Sequence, residues 1–156
     1  MIYLIRNREE EKEKKKIEFL KEHERLAALS QQEMMKGIAE KKKKEEEKKK
    51  GLVILKAYYG SAVNIGIEEK VKNMEEVIDV TIPIQFMVKD SKVRLYAGSK
   101  QDYMGFWNPV SKETPCRLYI RYSFNEKVYE IEVDGDEPLY LPTCRANCLG
   151  EEKDVC

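Results

Sequence analysis

From Ile78 to Val88 an apolar residue stands at every second position: Ile78, Val80, Ile82, Ile84, Phe86 and Val88. The intervening positions begin with Asp79, Thr81, Pro83 and Gln85. A period of two belongs to a β-strand, whose successive side chains leave opposite faces of the pleat, so the stretch predicts a strand with one face on a core. Every other segment must then help to build that core. Proline has no N–H to give to a ladder, and an unbroken strand of this length would reach about 40 Å. The expected strand therefore bends at Pro83 and serves two sheets. Lys89 to Lys92 then turn the chain, and Val93, Leu95 and Ala97 alternate with Arg94 and Tyr96 on a return strand, which completes a hairpin.

Three further segments supply partners. Leu52 to Tyr59 is a continuous apolar and aromatic run between Gly51 and Gly60, the pattern of a strand buried on both faces. A second hairpin has a register that can be read from its parity. With Asn125 and Glu126 at the tip, Tyr122 faces Tyr129, Arg121 faces Glu130, Ile120 faces Ile131 and Leu118 faces Val133. Both apolar sets then share one face, and a slip of one residue would destroy the agreement. Asp134 to Pro138 turn the chain into a short last strand at Leu139 and Leu141, closed by Pro142. Between these elements, Gly60 to Glu76 is polar and reads as a long mobile loop with at most one helical turn in EEKVKNMEE. Gly98 to Pro115 is an irregular connection containing GFWNP. Phe106 and Trp107 are expected to plug the open end of the core; exposed, they would form a partner-binding anchor, and they are the candidate partner-binding residues.

The first third of the chain is of another kind. Asn7 to Lys50 is filled with helix formers, and Glu precedes Lys by four at Glu10 and Lys14, Glu11 and Lys15, Glu45 and Lys49, and Glu46 and Lys50. Asn7 with Glu10 has the spacing of a capping box, and Gly51 suits the position just past the end. Ile17, Phe19, Leu20, Leu26, Ala27, Met34, Met35 and Ile38 form a diluted apolar stripe. At about 1.5 Å per residue the helix would outreach the domain behind it, so much of it is expected to stand in solvent, as a spacer or a weak coiled-coil partner. The expected fold class is thus α+β: a long N-terminal charged helix followed by a small antiparallel, immunoglobulin-like β-sandwich of about six strands. The expected division is 1–50 for the end of a preceding strand plus the helical stalk, 51–142 for the sandwich and 143–156 for a disordered polar tail.

The chemistry inventory is sparse. His23 is the only histidine and sits in the charged helix, so no Ser, His and Asp arrangement can be built in the sandwich. Asp134, Asp136 and Glu137 fit a polar turn better than a calcium site, and no glycine-rich phosphate loop is present. Cys116, Cys144, Cys148 and Cys156 are scattered, and read as reduced thiols of a chain in a compartment such as the cytosol rather than as zinc ligands. No catalytic residue, metal or cofactor is expected, no small-molecule substrate is implied, and the chain reads as a non-enzyme. Lys and Arg outnumber acids 16 to 12 over residues 6–50, and acids lead 17 to 13 thereafter, so no strong field steers the chain to nucleic acid. The lysine runs at Lys41 to Lys44 and Lys48 to Lys50 are interleaved with Glu45 to Glu47 and lack aromatic neighbours for bases, which leaves nucleic acid a minor alternative. MIYLIRNR lacks the basic lead and longer apolar run of a secretory signal, and no segment has about 18 consecutive apolar residues, so any membrane association would be indirect.

VIDVTIPIQFMVKDSKVRL, preceded by GLVILKAYYG and followed by GFWNP, RYSF and LYLP, resembles the C-terminal domain of the DnaJ-homologue subfamily C member eleven proteins. YLIR at Tyr3 to Arg6, followed by a charged helix, is similar to the stretch that leaves a preceding β-rich domain in that family. The resemblance implies a mitochondrial setting at the outer membrane and protein partners in the complexes that bridge to the inner membrane and organise cristae. Family members also carry a J domain with a His-Pro-Asp tripeptide. Here His23 is followed by Glu24 and Arg25, so stimulation of a chaperone ATPase is not expected from these residues. The resemblance transfers no catalytic residue. What it implies is a non-catalytic interaction domain that scaffolds membrane organisation, the alternative being a nucleic-acid or ribosome-associated module acting through the lysine-rich helix.

Overall fold

The computed structural model describes residues 2–62, 65–66, 70–71, 76–110 and 115–151. In chain order these form α1 (Ile2–Lys49), β1 (Val53–Ser61), β2 (Ile65–Gly66), β3 (Lys70–Val71), β4 (Val77–Asp79), α2 (Thr81–Phe86), β5 (Val93–Leu95), β6 (Cys116–Phe124), β7 (Lys127–Asp134), β8 (Leu139–Leu141) and β9 (Asn147–Glu151). Helix α1 begins at Ile2, ahead of Asn7, so Asn7 is interior to it and the expected strand end at Tyr3 to Arg6 is helical. At its other end Lys50, not Gly51, takes the left-handed conformation with φ 55°, while the Gly51 N–H bonds the Glu46 carbonyl at 2.9 Å. A Cβ at Gly51 would stand 2.3 Å from Ser91 Oγ and 2.4 Å from Glu46 Oε2, so those two side chains would have to shift to admit one.

The main sheet is antiparallel with strand order β4-β1-β6-β7-β9. The second hairpin has the expected register, including Tyr122 opposite Tyr129, Arg121 opposite Glu130, Ile120 opposite Ile131 and Leu118 opposite Val133. Asn125 and Glu126 turn it with φ of 53° and 67°, the doubly left-handed turn whose twist suits a two-residue hairpin. β1 is the strand expected but is not buried on both faces, since Lys56 is exposed and Leu55 and Tyr58 are half-buried; it runs on to Ser61 and pairs β6 along its length across one bulge between Ile54 and Lys56. Leu52, Ile54, Ala57 and Tyr59 join Leu118, Ile120, Tyr122, Ile131 and Val133 in the core, and a second layer covers them with Val93, Leu95, Leu139 and Leu141 from the β5–β8 ladder. The expectation of helix plus antiparallel sheets holds; an immunoglobulin topology does not follow from a five-stranded sheet facing a two-stranded one.

The alternating stretch is not the single bent strand expected. Only Val77 to Asp79 is a strand, paired with Tyr58 to Gly60, and Thr81 to Phe86 is a helix. An every-second pattern contains an every-fourth one, and burial selects the latter: Val80, Ile84 and Val88 are buried in the core, whereas Ile82 and Phe86 are half-exposed. Pro83 is the third helical residue, where a missing N–H costs no intrahelical bond, so it neither bends a strand nor marks an edge. Gln85, expected to face water, is buried and accepts the Ile54 N–H on Oε1 at 2.7 Å, and Thr81 Oγ1 accepts the Ala57 N–H at 3.0 Å. α2 thereby serves the edge of β1 with side-chain acceptors in place of a strand. The Lys89–Lys92 turn is present, but β5 returns to pair with β8, not with the stretch before it.

Two further expectations change. Thr143 onward does not lack structure throughout, since β9 extends the sheet by pairing with β7 from Lys127–Glu151 to Glu130–Asn147. The polar loop after Gly60 contains the short β2–β3 ladder, and Ile65 packs with Val77, Tyr119 and Tyr58 on the outer face of the sheet. Most of EEKVKNMEE, residues 68–76, lies outside the described residues, as does Cys156.

Candidate partner interface

Helix α1 determines what the domain can present to another protein. Between residues 8 and 50 the only positions that are not exposed are Lys21, Arg25, Ala28, Gln32, Met35, Ala39, Lys42 and Glu46. They recur alternately four and three residues apart, which is the seam of a helix lying along a surface. Most of that seam is polar because it docks on backbone groups. Lys21 Nζ donates to the Val110 carbonyl, and Gln32 Nε2 donates to the carbonyls of Gly105 at 2.8 Å and Asp79 at 3.1 Å. Lys42 Nζ donates to Phe86 O at 2.6 Å, satisfying a carbonyl at the C-terminal end of α2, and lies 5.2 Å from the centre of the Phe86 ring. Glu46 accepts the Ser91 hydroxyl at 2.8 Å.

Gly105, in GFWNP, is the socket of this joint. Its N–H donates to Gln31 Oε1 at 2.8 Å while its carbonyl accepts from Gln32, so consecutive glutamines hold both backbone groups of one residue. Its φ of +84° is left-handed, and a Cβ would stand 2.6 Å from Pro83 Cγ and 2.9 Å from Met35 Cε.

Phe106 and Trp107 are thus separated in role. Phe106 is buried, edge-on to Tyr59 with centroids 5.6 Å apart and 5.8 Å from Tyr103, as a plug of the core would be. Trp107 packs against the core but stays half-exposed, and it walls two grooves, one on each side of α1. The first, of about 430 Å³, also takes in Ala27, Gln31 and Asp102; the second, of about 350 Å³, takes in Arg25, Leu29 and Pro109.

The apolar stripe read from the sequence points the other way. Of its members only Met35 is buried, whereas Ile17, Phe19, Leu20, Leu26, Met34 and Ile38, with Leu29, are exposed, Phe19 at 71% and Met34 at 80%. Phe19 and Leu26 are seven residues apart, as are Leu20, Ala27 and Met34, so they recur on the outward side of the helix. Ala27 and Leu29 carry this face into the grooves beside Trp107. Sequence reasoning expected much of the helix in solvent and assigned no face to docking; the signal available was the unbroken 4-3 spacing of Ala28, Gln32, Met35 and Ala39.

His23 is exposed and stacks on Phe19 at 6.5 Å. Among the described residues no group of His, Cys, Asp and Glu could hold a metal ion. Cys144 and Cys148 are exposed free thiols, and burial, its largest cause, pushes the thiol of half-buried Cys116 up. No helix among the described residues is long and apolar enough to cross a membrane.

Comparison with known proteins agrees with the resemblance. The family described as DnaJ-like protein C11, C-terminal, matches residues 8–142. DnaJ homolog subfamily C member 11 of Mus musculus is 39% identical over 93 residues, and its homolog in Dictyostelium discoideum is 36% identical over 101. Both matches cover 59% of this chain but only 16% of the relative, so the chain spans about a sixth of the length of the curated relatives it matches. No solved structure matches. With the family matched across α1 and all strands to β8, the chain belongs to the DnaJ-like protein C11 C-terminal family.

Proposed function

We propose that this chain is a non-catalytic protein-interaction domain that docks into a mitochondrial membrane-organising assembly through the outward face of α1, with Trp107, backed by Phe106, at its margin. The observation that carries this reading is the row of large apolar side chains exposed on a helix whose opposite side is fixed to the sheet domain. Exposed apolar surface of this kind is recovered when a second helix or groove covers it. Membership of a J-protein family supports a chaperone-related setting, and the site at the mitochondrial outer membrane rests on that kinship. No cofactor or small-molecule substrate enters the reading. A tagged chain is expected to image on mitochondria and to co-purify a defined protein partner, with Met34→Glu lowering the recovery by about tenfold while leaving the fold intact. Diffuse cytosolic signal, or recovery unchanged by Met34→Glu, would overturn it.

The nucleic-acid or ribosome reading has fewer supports. Lys41, Lys43 and Lys44 are exposed, but Lys42 is held by Phe86 and the run is followed by Glu45 to Glu47.

A further inference from the structure

The β5–β8 ladder has one face on the core and one in water. Val93 pairs with Leu141 and Leu95 with Leu139, all buried, so the alternate residues must face outward. Arg94 and Tyr140 are a directly opposed outward pair, and Lys92 and Tyr96 extend the same parity on the β5 side. Tyr96 and Tyr140 are 61% and 52% exposed, although tyrosine rings are usually more than half covered. Lys92, Arg94, Tyr96 and Tyr140, with Pro142, line one shallow groove of about 400 Å³ that contains no acidic residue. Nothing in the core needs these side chains, and no ion pair among the described residues neutralises either cation.

We infer that this face is a binding groove for an extended, acidic, proline-containing segment of a partner protein. The two cations with no acid between them select carboxylates. The tyrosines stand on diagonal positions of the ladder, where side chains are about 7–8 Å apart and can flank a flat ring, and proline supplies such a ring on a chain already extended in the polyproline conformation. The ladder is three residue pairs long, which fits a few residues of peptide. Nucleic acid fits less well: two cations cannot follow a phosphate backbone, and the whole chain has 29 basic and 29 acidic residues. A membrane surface fits less well because the face is a groove, not a protrusion. The site is separate from the outward face of α1 and does not depend on it.

Fluorescence anisotropy on the full chain tests the inference with a fluorescein-labelled peptide of alternating Glu and Pro. It is expected to bind, to weaken as salt rises, and to lose about tenfold in affinity with Arg94→Glu and, independently, with Tyr140→Ser. Both positions are exposed, so each variant should keep the wild-type circular dichroism spectrum. Met34→Glu should leave this binding unchanged, which separates the groove from the helix surface. Absence of binding, equal binding of a matched Lys-Pro peptide, or binding undiminished in both variants would overturn it. So would binding of single-stranded RNA or of phosphatidylserine vesicles in place of the acidic peptide.

Discussion

Replacing Gly105 by alanine is expected to destabilise the protein by about 2–4 kcal/mol and to loosen α1 from the sheet domain. The backbone there has φ +84°, which a side chain resists at a cost of about 1–2 kcal/mol. The added methyl would also meet Pro83 of α2 at 2.6 Å and Met35 and Gln32 of α1 at 2.9 and 3.2 Å. Met35 Cε can swing aside, but Pro83 is a rigid ring in the helix that holds β1, so relief there is expected from Gly105 shifting against α1, which strains the bonds of Gln31 and Gln32. Gly98→Ala is the control. Gly98 has φ +108°, but nothing lies within 4 Å of the place its methyl would take, so only the backbone cost of about 1–2 kcal/mol applies. Urea unfolding measures both, and amide hydrogen exchange over residues 21–46 should quicken only in Gly105→Ala. Equal effects of the two substitutions would show that the joint is not where α1 is held.

A second large effect is expected in alkali. Burial first, and then the hydrogen bond from its hydroxyl to Glu130 at 2.9 Å, push Tyr119 up to about 12. Burial likewise raises Tyr59, which lies beside Cys116, and Tyr122. An unfolded tyrosine titrates near 10, so between about pH 10 and 12 the folded chain holds protons that the unfolded chain releases. The stabilisation is complete below pH 10 and is lost as pH rises through the folded values. Tyr119, 3% exposed, accounts for about 2–3 kcal/mol of it. Lys100 acts with the opposite sign. Its ammonium is buried, donates to the carbonyls of Gly135 at 2.8 Å and Glu137 at 2.5 Å, and is lowered by desolvation, so stability recovers a little as pH approaches the ordinary lysine range. That gain ends near pH 10.5, about where the tyrosine losses begin. Circular dichroism against pH should therefore show unfolding between pH 10 and 12, moved to higher pH in Tyr119→Phe. A fold intact beyond pH 12 would contradict this.

The parts of the fold that could be read from residues are those where one interaction dominates. In the β6–β7 hairpin, parity, cross-strand charge and the Asn125–Glu126 turn all demand the same register, and the structure has it. The stretch from Ile78 to Val88 satisfied two periods at once, and what decided between them was remote: β1 has a bulge, and its N–H groups at Ile54 and Ala57 take acceptors from Gln85 and Thr81. Neither need is visible within the stretch. β9 was hidden for a related reason, because an edge strand adds through its backbone, which polar residues supply as well as apolar ones. The candidate interface was half legible. GFWNP was visible as aromatic residues in an irregular loop, but Gly105 binds this chain's own α1, and of the two aromatic residues only Trp107 keeps exposed surface. The exposure of the apolar stripe on α1 was legible, but the docked side was not, because it is held largely by side-chain bonds to backbone carbonyls.

The proposed division of α1 into a docked side and a partner-facing side is tested most directly by photo-crosslinking from two adjacent positions of the helix in cells. With benzoylphenylalanine introduced in place of Met34, on the outward side, the expected product is an adduct to another protein. In place of Met35, which packs by Gly105, the expected product is a cross-link within the chain. Intermolecular adducts from position 35 with none from position 34 would contradict the assignment of the outward face of α1 as the partner surface.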